Sequence, residues 1–493
     1  MCIIEGYSSS HAMSSRIHRS HRSLLALGAL VLAVGACATN PVTGRRELSL
    51  ISESQEIAMG LEAAKEAAGQ MGVYPDSQLQ QYVSGVGMPM AKASERPALP
   101  WSFTVIDDPA VNAFALPGGP LFVTRGILAY MTSEAQLASV LGHEIGHVTA
   151  KHSVSQMSRA QLAQIGLVGA MIVQPELAQF GELGSTALGL MFLKFGRDDE
   201  TQADELGFRY MTAQTYEPSE MTEMFRTLAR TSGDSADTPE WLSTHPDPGN
   251  RVNRTQERIA SWTRPAGTLK TNRDPFLTAI DGIVFGEDPR QGYFQKTTFL
   301  HPTLKFRLDF PAGWTTSNQP SQVAGISSKQ DAIIALTLAG KASPSQAVNE
   351  FLQQEGIVAS GTSTASINGL PAAVGRFTVQ TEEAVLSGYA AFIQMDEATY
   401  RILAYTPQAN IGSYDGTFRQ AIGSFRRLTD PAALAVKPNL VRLVQIRSAM
   451  TITQFQQQYP SLIPIEQLAV INGAAAASTS FPAGSRLKRV VAE

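Results

Sequence analysis

Two histidines four residues apart, with a glutamate between them, are the residues of this sequence whose types and spacing could do chemistry. They form the run His143-Glu144-Ile145-Gly146-His147. On an α-helix, residues four apart are rotated by about 40° around the axis, so both imidazoles can reach one tetrahedral Zn²⁺. Glu144 would then lie beside the open coordination position. A pair of surface histidines is the alternative, but the spacing predicts a zinc site on a helix.

A catalytic zinc site takes three protein ligands and a water molecule, so the pattern requires a third ligand. His152 lies about 180° around the helix from the first histidine, and we expect it not to reach the ion. The better candidate is Glu200. Asp204, four residues later on the same helix face, could accept a hydrogen bond from the far nitrogen of a ligand histidine. Asp199 and Glu205 stay open as alternative ligands, as does a solvated acidic run without a metal.

The elements that must position these residues leave clear signals. Ser133 and Gln136 form a capping box, and apolar residues follow at helical spacing through the histidine pair. Before that helix, β-prone residues between 101 and 124 are interrupted by Pro117-Gly118-Gly119-Pro120, which predicts a hairpin. After it, residues 161–195 are apolar but too interrupted for a transmembrane span. We interpret them as helices that pack internally, with a membrane-facing position as the alternative.

The two histidine and carboxylate motifs resemble those of a known family. The stretches His143 to Val148 and Glu200 to Gly207 resemble the motifs of the M48 (gluzincin, prenyl-protease-like) metallopeptidases, and Cys37 to Gly44 is similar to the start of their exported lipoprotein branch. The resemblance covers about residues 37–260. It implies one Zn²⁺ per chain, held by His143, His147 and Glu200, with Glu144 as the catalytic residue.

The same resemblance implies a strand that receives substrate. Asn112, Ala113, Phe114 and Ala115 would form an edge strand that pairs with an extended peptide. Main-chain hydrogen bonds do not require a particular sequence, so we expect broad specificity. For Asn112, a turn residue that caps the hairpin is the alternative.

A further family element is Thr244-His245-Pro246, followed by Arg251, and we place His245 and Arg251 among the candidate catalytic residues. His245 lies in a stretch typical of loops. It could become a fourth zinc ligand that closes the site, or it could donate a hydrogen bond to the developing oxyanion. Arg251 is the alternative for the second role, and a turn histidine with neither role is the third possibility.

The N-terminus predicts export. Basic residues precede the apolar run 24–34, which ends in Val34-Gly35-Ala36-Cys37 and resembles a lipobox. We expect residues 1–37 to be a lipoprotein signal peptide with Cys37 as the lipidated residue, an ordinary signal peptide being the alternative. Ala38, which is not an aspartate, favours the outer membrane of a bacterial cell envelope, on its periplasmic face.

The chain is long enough for several domains. We expect an α+β protein with a mostly helical zincin catalytic domain and a small sheet at 38–264, a linker at 265–297, an α+β domain at 298–430, and a small C-terminal module at 436–493. The last segment contains Asn472-Gly473 and Pro482-Ala483-Gly484, and it resembles a LysM module. A plain capping domain is the alternative.

The composition excludes some classes of function. Lys and Arg number 39 against 43 Asp and Glu, a net charge of -4, so no nucleic-acid partner is expected. The 2 cysteines lie in the first forty residues, which rules out a disulfide framework and an all-cysteine metal site.

Together these features predict a lipid-anchored, zinc-dependent endopeptidase. The zinc-bound water would be the nucleophile and Glu144 the general base. Its partners would be unfolded or misassembled envelope proteins as substrates, the membrane through the lipid anchor, and peptidoglycan through the C-terminal module. Two alternatives remain, an envelope chaperone that cuts rarely and a peptidoglycan-associated scaffold.

Overall fold

A computed structural model describes residues 37–161, 195–231, 240–245, 248–381 and 384–493. The predicted signal peptide, apart from Cys37, and nearly all of the apolar stretch 161–195 lie outside the described residues. Within the described ranges, no helix is long and apolar enough to cross a membrane.

The protein contains helices and several sheets, and its fold class is α+β as the sequence predicted. The helices are α1 (Glu53–Met71), α2 (Ser77–Lys92), α3 (Arg125–Tyr130), α4 (Glu134–Thr149), α5 (Arg197–Ala213), α6 (Ser219–Thr231), α7 (Glu240–Thr244), α8 (Pro248–Ser261), α9 (Arg273–Ala279), α10 (Pro344–Leu352), α11 (Ile411–Ser424), α12 (Pro431–Leu434), α13 (Ile452–Gln458) and α14 (Ile465–Ile471). Residues 152–161 are also helical. Short 3₁₀ segments occur at Pro289–Gln291 and Gln408–Asn410.

The strands fall into separate sheets. They are β1 (Cys37–Thr39), β2 (Arg46–Leu48), β3 (Ser102–Ile106), β4 (Ala113–Ala115), β5 (Pro120–Thr124), β6 (Tyr293–Gln295), β7 (Thr298–His301), β8 (Phe306–Asp309), β9 (Thr315–Gln319), β10 (Gln322–Ile326), β11 (Ile333–Leu338), β12 (Ile357–Ile367), β13 (Leu370–Gln380), β14 (Val385–Met395), β15 (Ala398–Pro407), β16 (Arg426–Arg427), β17 (Asn439–Gln445), β18 (Met450–Thr451), β19 (Ser480–Phe481) and β20 (Arg486–Ala492).

Helix α4 lies at the centre of the first hydrophobic core, which we call the first unit, because each residue of α4 is buried. It begins at Ser133, whose hydroxyl accepts a hydrogen bond from the backbone N–H of Gln136. The Gln136 side chain accepts from the backbone of Thr132, one residue before the N-cap. The predicted helix start is therefore confirmed, and an end buried in this way needs such caps because its free N–H groups cannot reach water.

Small residues bring α4 and α5 into close contact. A Cβ added to Gly207 would lie 2.8 Å from the backbone nitrogen of His143, and one added to Gly146 would lie 3.0 Å from the carbonyl oxygen of Ala203. At this separation of the helices, a side chain at Gly207 would clash with the backbone of α4, and one at Gly146 would make an unusually tight contact with the backbone of α5. This close crossing places the residues of α5 directly opposite the histidines of α4.

A three-stranded sheet in the order β3-β5-β4 packs beside α4. Strands β4 and β5 form the predicted antiparallel hairpin, and β3 runs parallel to β5. β4 lies at the edge of this sheet.

A second hydrophobic core lies in the part of the chain after residue 298. Its main element is an antiparallel sheet in the order β12-β13-β14-β15-β11-β10-β9, with α10 packed near β13 and α11 near β15. A second sheet has the order β16-β8-β7-β6. Aromatic residues of both sheets and of α11 fill the core, among them Phe306, Phe418 and Phe425.

The segment 265–297, whose composition predicted a linker, differs from that expectation in its packing. It contains α9, and Phe276 and Leu277 are buried in the same core cluster as α4. Proline, glycine and aspartate indicated a loop, but six buried apolar side chains between residues 276 and 285 bind this segment to the first unit.

The C-terminal segment has the order β17-β18-α13-α14-β19-β20, with β17 antiparallel to β20 and the short strand β18 antiparallel to β19. Its apolar residues belong to the core cluster of the first unit. The buried Lys488 donates hydrogen bonds from Nζ to the carbonyl oxygens of Ala129 (2.8 Å) and Met131 (2.6 Å) at the end of α3. The C-terminal segment therefore packs directly on the helical unit.

Candidate metal centre and substrate edge

Four side chains from three parts of the chain meet at the C-terminal half of α4. His143 and His147 lie on α4, Glu200 lies on α5, and His245 follows α7 directly. Their possible ligand atoms all lie within 4.8 Å of one another, and all four residues are buried. The structure thus brings the predicted ligands His143, His147 and Glu200 together, and it adds His245 to the same group.

The donor set of this cluster fits a zinc ion. His143 Nε2 and His147 Nε2 lie 3.0 Å apart. The Nδ1 atom of each ring has another polar partner, so the two Nε2 atoms are the ones that face each other. Burial lowers the pKa of His143 to about 3, so this ring is neutral and its Nε2 carries a lone pair. Glu200 Oε2 is buried without a hydrogen-bond partner among the described residues. Converging lone pairs on nitrogen and carboxylate oxygen are what a tetrahedral zinc site requires.

The far side of His143 is held by an ion pair. Asp204 Oδ1 accepts a hydrogen bond from His143 Nδ1 at 3.0 Å, as the sequence predicted. The Arg251 guanidinium binds both oxygens of Asp204, at 2.9 and 2.6 Å, and lies 3.2 Å from Glu200 Oε2. Burial alone would raise the pKa of Asp204, but Arg251 and His143 together outweigh it and lower this pKa to about 2. Asp204 therefore stays ionised and fixes the His143 tautomer.

His147 is oriented by a residue whose contact the sequence did not predict. Its Nδ1 lies 2.9 Å from His152 Nδ1, and His152 Nε2 lies 2.9 Å from Gln202 Oε1. One tautomer satisfies both contacts: His147 donates to His152, and His152 donates to Gln202. The α4 helix ends before Lys151, which has φ 60°, and this left-handed residue turns His152 back toward His147. A helix projection cannot detect such a turn.

The alternative ligands Asp199 and Glu205 lie outside the cluster. Asp199 accepts a hydrogen bond from the backbone of Gly196 at the start of α5. Glu205 pairs with Arg258 at the surface. Glu200 is the carboxylate of this acidic run that faces the histidines, and those histidines, above all His245, hold its pKa below the ordinary range despite its burial.

Glu144 is buried next to the cluster. Its Oε1 has no hydrogen-bond partner among the described residues and lies 3.6 Å from His245 Nε2. Burial raises the pKa of Glu144 to about 8. A carboxylate in such surroundings can both accept and release a proton near neutral pH.

His245 faces the cluster with one nitrogen and Glu144 with the other. Its Nδ1 lies 2.9 Å from Glu200 Oε1 and 3.3 Å from His143 Nε2. Its ring stacks on the Trp241 indole with centroids 4.8 Å apart, and its backbone N–H donates to the Trp241 carbonyl. His245 is thus held by more than its own turn.

The predicted substrate strand is the edge strand β4, with Asn112 immediately before it. The backbone of Asn112 pairs with Thr124 of β5, so in the alternating antiparallel pattern Ala113 and Ala115 direct their backbone groups away from the sheet. Asn112 is buried, and its side-chain Oδ1 has no hydrogen-bond partner among the described residues. At the start of this edge, the carbonyl of Val111 accepts a hydrogen bond from the backbone of Trp241 in α7.

Known proteins with similar sequences include two named proteases. The beta-barrel assembly-enhancing protease of Escherichia coli is 30% identical over 249 residues, which are 48% of this chain and 50% of that protein. The mitochondrial metalloendopeptidase OMA1 of Schizosaccharomyces pombe is 32% identical over 226 residues, 44% of this chain and 65% of that protein. This chain therefore spans about half the length of the bacterial relatives that it matches.

Solved structures add little to the assignment. The match to the cyanobacterial PsbP protein of Synechocystis covers 26% of this chain and 91% of that protein, at 10% identity and a TM-score of 0.23, which supports no argument.

The family model for peptidase family M48 matches residues 77–259, which include α4, the edge strand and the four clustered side chains. Residues 77–259, which hold the site, therefore belong to peptidase family M48.

Proposed function

We propose that this protein is a zinc-dependent metalloendopeptidase that cleaves peptide bonds in unfolded or misassembled proteins of the bacterial cell envelope. The observation that carries the proposal is the convergence of His143, His147 and Glu200, with the buried Glu144 beside them. A zinc ion held there supplies Lewis-acid chemistry, since it polarises a carbonyl group and makes water acidic enough to act as a nucleophile near neutral pH.

The protein's own groups provide the rest of the reaction. Glu144 accepts the proton of the attacking water and passes it to the leaving amine. The backbone groups of Ala113 and Ala115 pair with an extended substrate, and Asn112 contacts it through its side chain. Asp204 and Arg251 act from behind, by holding His143 and Glu200 in place.

His245 and α7 close this site in our proposal. His245 lies among the ligand atoms, where it would take the coordination position that water needs. The Trp241 backbone, in the same short helix, occupies the Val111 carbonyl at the start of the substrate edge. Withdrawal of this segment would open both positions together.

Location and partners follow from the sequence and from the relatives. Cys37 would carry a lipid anchor at the outer membrane. The name of the Escherichia coli relative, a beta-barrel assembly-enhancing protease, supports envelope proteins as substrates. Replacing Cys37 with serine should release the protein from membranes in fractionation.

A role on peptidoglycan is a second candidate for the C-terminal module. Its two helices α13 and α14 lie in the chain between the antiparallel strands β17 and β20, with the short pair β18 and β19 beside them in sequence, and this arrangement is compatible with the LysM resemblance. Pelleting of the whole protein with purified peptidoglycan would support it, and a supernatant without loss of protein would count against it.

The enzyme proposal is tested by turnover of casein with purified protein. Activity should disappear with a chelator and return with Zn²⁺. Glu144→Gln keeps the shape of the side chain but removes the proton acceptor, so activity should fall by at least about 10² while one zinc per chain remains. A chaperone that does not cut would show no turnover in the wild type, and retained activity in Glu144→Gln would remove this residue from the mechanism.

A further inference from the structure

The large sheet of the second core leaves one long strand edge free. β12 has 11 residues and is the terminal strand of this sheet, and no described strand pairs with its outer edge. It contains no charged residue and no proline, the residue types that natural proteins place on edge strands to prevent pairing. Strand β9, at the opposite edge, has 5 residues and ends just before Pro320. The free edge of β12 is therefore unprotected except for a bulge between Ala359 and Thr362.

The hairpin that follows β12 shows which backbone groups face outward. Asn368 and Gly369, with φ 49° and 80°, form a two-residue turn of the type in which the flanking residues exchange both hydrogen bonds. By alternation, Thr362, Thr364 and Ser366 direct their N–H and C=O groups away from β13. Ser366 lies opposite Pro371, which has no N–H to donate, in agreement with this alternation. Thr362 to Ile367 thus offer a regular, unpaired edge.

A groove runs along one face of this edge. It has a volume of about 450 Å³ and lies between β12, β13 and α11. Ser363, Ala365 and Ile367 line it from β12, and Val374 lines it from β13. A strand added to β12 would place every second side chain at this groove, because side chains alternate between the faces of a sheet.

The end of the groove is positively charged. The guanidinium groups of Arg376 and Arg419 both contact the Tyr389 hydroxyl and share one carboxylate, that of Asp415. Both arginine side chains remain about half exposed. Gly361 in the bulge borders them, and open space surrounds the position of its absent side chain. Two cations share one anion here, so a further carboxylate would be attracted.

We propose that the outer edge of β12 is a second strand-binding site, which holds an extended polypeptide with an acidic side chain directed toward Arg376 and Arg419. The backbone of Thr362, Thr364 and Ser366 supplies the hydrogen bonds, and the arginines supply the preference for the acidic residue. A second copy of β12 fits less well, because that strand has no carboxylate to offer the arginines. The binding of such a polypeptide does not depend on the peptidase activity. That the polypeptide is a substrate of the peptidase is a further step, which rests on the proposed function.

The test measures binding to the full protein in a Glu144→Gln background, so that no probe is cut. The probe is a fluorescein-labelled decapeptide of alternating threonine and valine with one central aspartate, followed by fluorescence anisotropy. Thr364→Pro removes an outward N–H without affecting the bonds to β13, and should raise the Kd at least about tenfold. The matched control Thr364→Val keeps the N–H and should bind like the parent.

The charge preference is tested with a second peptide in which asparagine replaces the aspartate. This peptide should bind the parent protein several-fold more weakly, and the double variant Arg376→Gln, Arg419→Gln should bind both peptides equally. This arm does not depend on the folding of Thr364→Pro. Equal affinity of the parent for the two peptides, or unchanged affinity in a folded Thr364→Pro variant, would overturn the proposal.

Two further measurements relate the β12 edge to the peptidase reaction and to dimer formation. With Glu144 intact, Thr364→Pro should raise the KM for casein but leave cleavage of a short fluorogenic peptide unchanged. Failure of the wild type to cut either substrate would contradict the proposed function without affecting the binding result. A dimer in sedimentation that Thr364→Pro converts to monomer would show that a second copy occupies the edge, and would overturn the proposal.

Discussion

At the scale of single residues, the site depends on how each ligand histidine is held from behind. His143 donates to a carboxylate that Arg251 keeps ionised, whereas His147 donates to the neutral ring of His152. In both cases the partner at Nδ1 leaves Nε2 free for a metal. The two histidines of one motif therefore have different electrostatic support.

We expect His152→Ala to weaken zinc binding by about 10- to 100-fold, because His147 loses the acceptor that orients its ring. The helix projection alone predicts no such loss, since His152 does not reach the ion. His152→Gln offers an amide oxygen as acceptor and should restore much of the affinity. Competition with a zinc indicator measures this directly, and an unchanged affinity in His152→Ala would show that the contact has no role.

For His245 we expect substitution by alanine to increase peptidase activity while one zinc per chain remains. His143, His147 and Glu200 still provide three ligands, and the fourth position becomes available for water. Steady-state kinetics together with metal analysis decide the matter. A fall in kcat of about 10² would instead assign His245 to transition-state stabilisation, and no change would leave it a turn residue.

At the scale of elements, the crossing of α4 and α5 determines which acidic residue meets the histidines. Gly142, Gly146 and Gly207 lie at the contact, where a Cβ would meet backbone atoms at about 3 Å. Backbone atoms cannot move aside as the end of a long side chain can. The register between the two helices is therefore fixed by the absence of side chains.

Gly207→Ala should separate the helices and reduce both stability and zinc affinity, since its Cβ would lie 2.8 Å from the backbone nitrogen of His143. We expect a loss of about 1–3 kcal/mol in unfolding free energy. Gly85→Ala in α2 is the matched control: nothing lies within 4 Å of its Cβ, and it should stabilise the protein by about 0.5–1 kcal/mol. Denaturant unfolding of both variants checks the difference, and equal behaviour would refute the packing argument.

At the scale of the whole molecule, distant parts of the chain complete the peptidase unit. Lys488 of the C-terminal segment is buried with its ammonium group on two carbonyls at the end of α3, and burial lowers its pKa well below the ordinary value. Segment 265–297 adds six apolar residues between 276 and 285 to the same core. The C-terminal segment and the segment before the second core thus both stabilise the helix that holds the site.

Lys488→Met should therefore destabilise the peptidase unit, because the carbonyls of Ala129 and Met131 lose their buried donor at a cost of about 1–3 kcal/mol. Lys437→Met, at an exposed position, is the control and should have little effect. Thermal unfolding measures the loss of stability. A parallel loss of peptidase activity would show that the C-terminal segment and the peptidase unit are coupled. If Lys488→Met unfolded like the control, the C-terminal segment would contribute no stability to that unit.

The sequence by itself determined the chemistry that depends on local geometry. Residues four apart on a helix share one face whatever surrounds them, so spacing alone placed His143 with His147, and Glu200 with Asp204, on one helix face, while Asp199 and Glu205 stayed open as ligands. Capping chemistry predicted the start of α4 at Ser133. The tertiary structure decided the rest. Glu200 rather than Asp199 or Glu205 faces the histidines because glycines set the helix crossing, and His152 reaches His147 because Lys151 is left-handed. Likewise, the free edge of β12 is defined only by the order of the sheet. These contacts join residues far apart in the chain or separated by a turn, and packing, which no local pattern encodes, determines them.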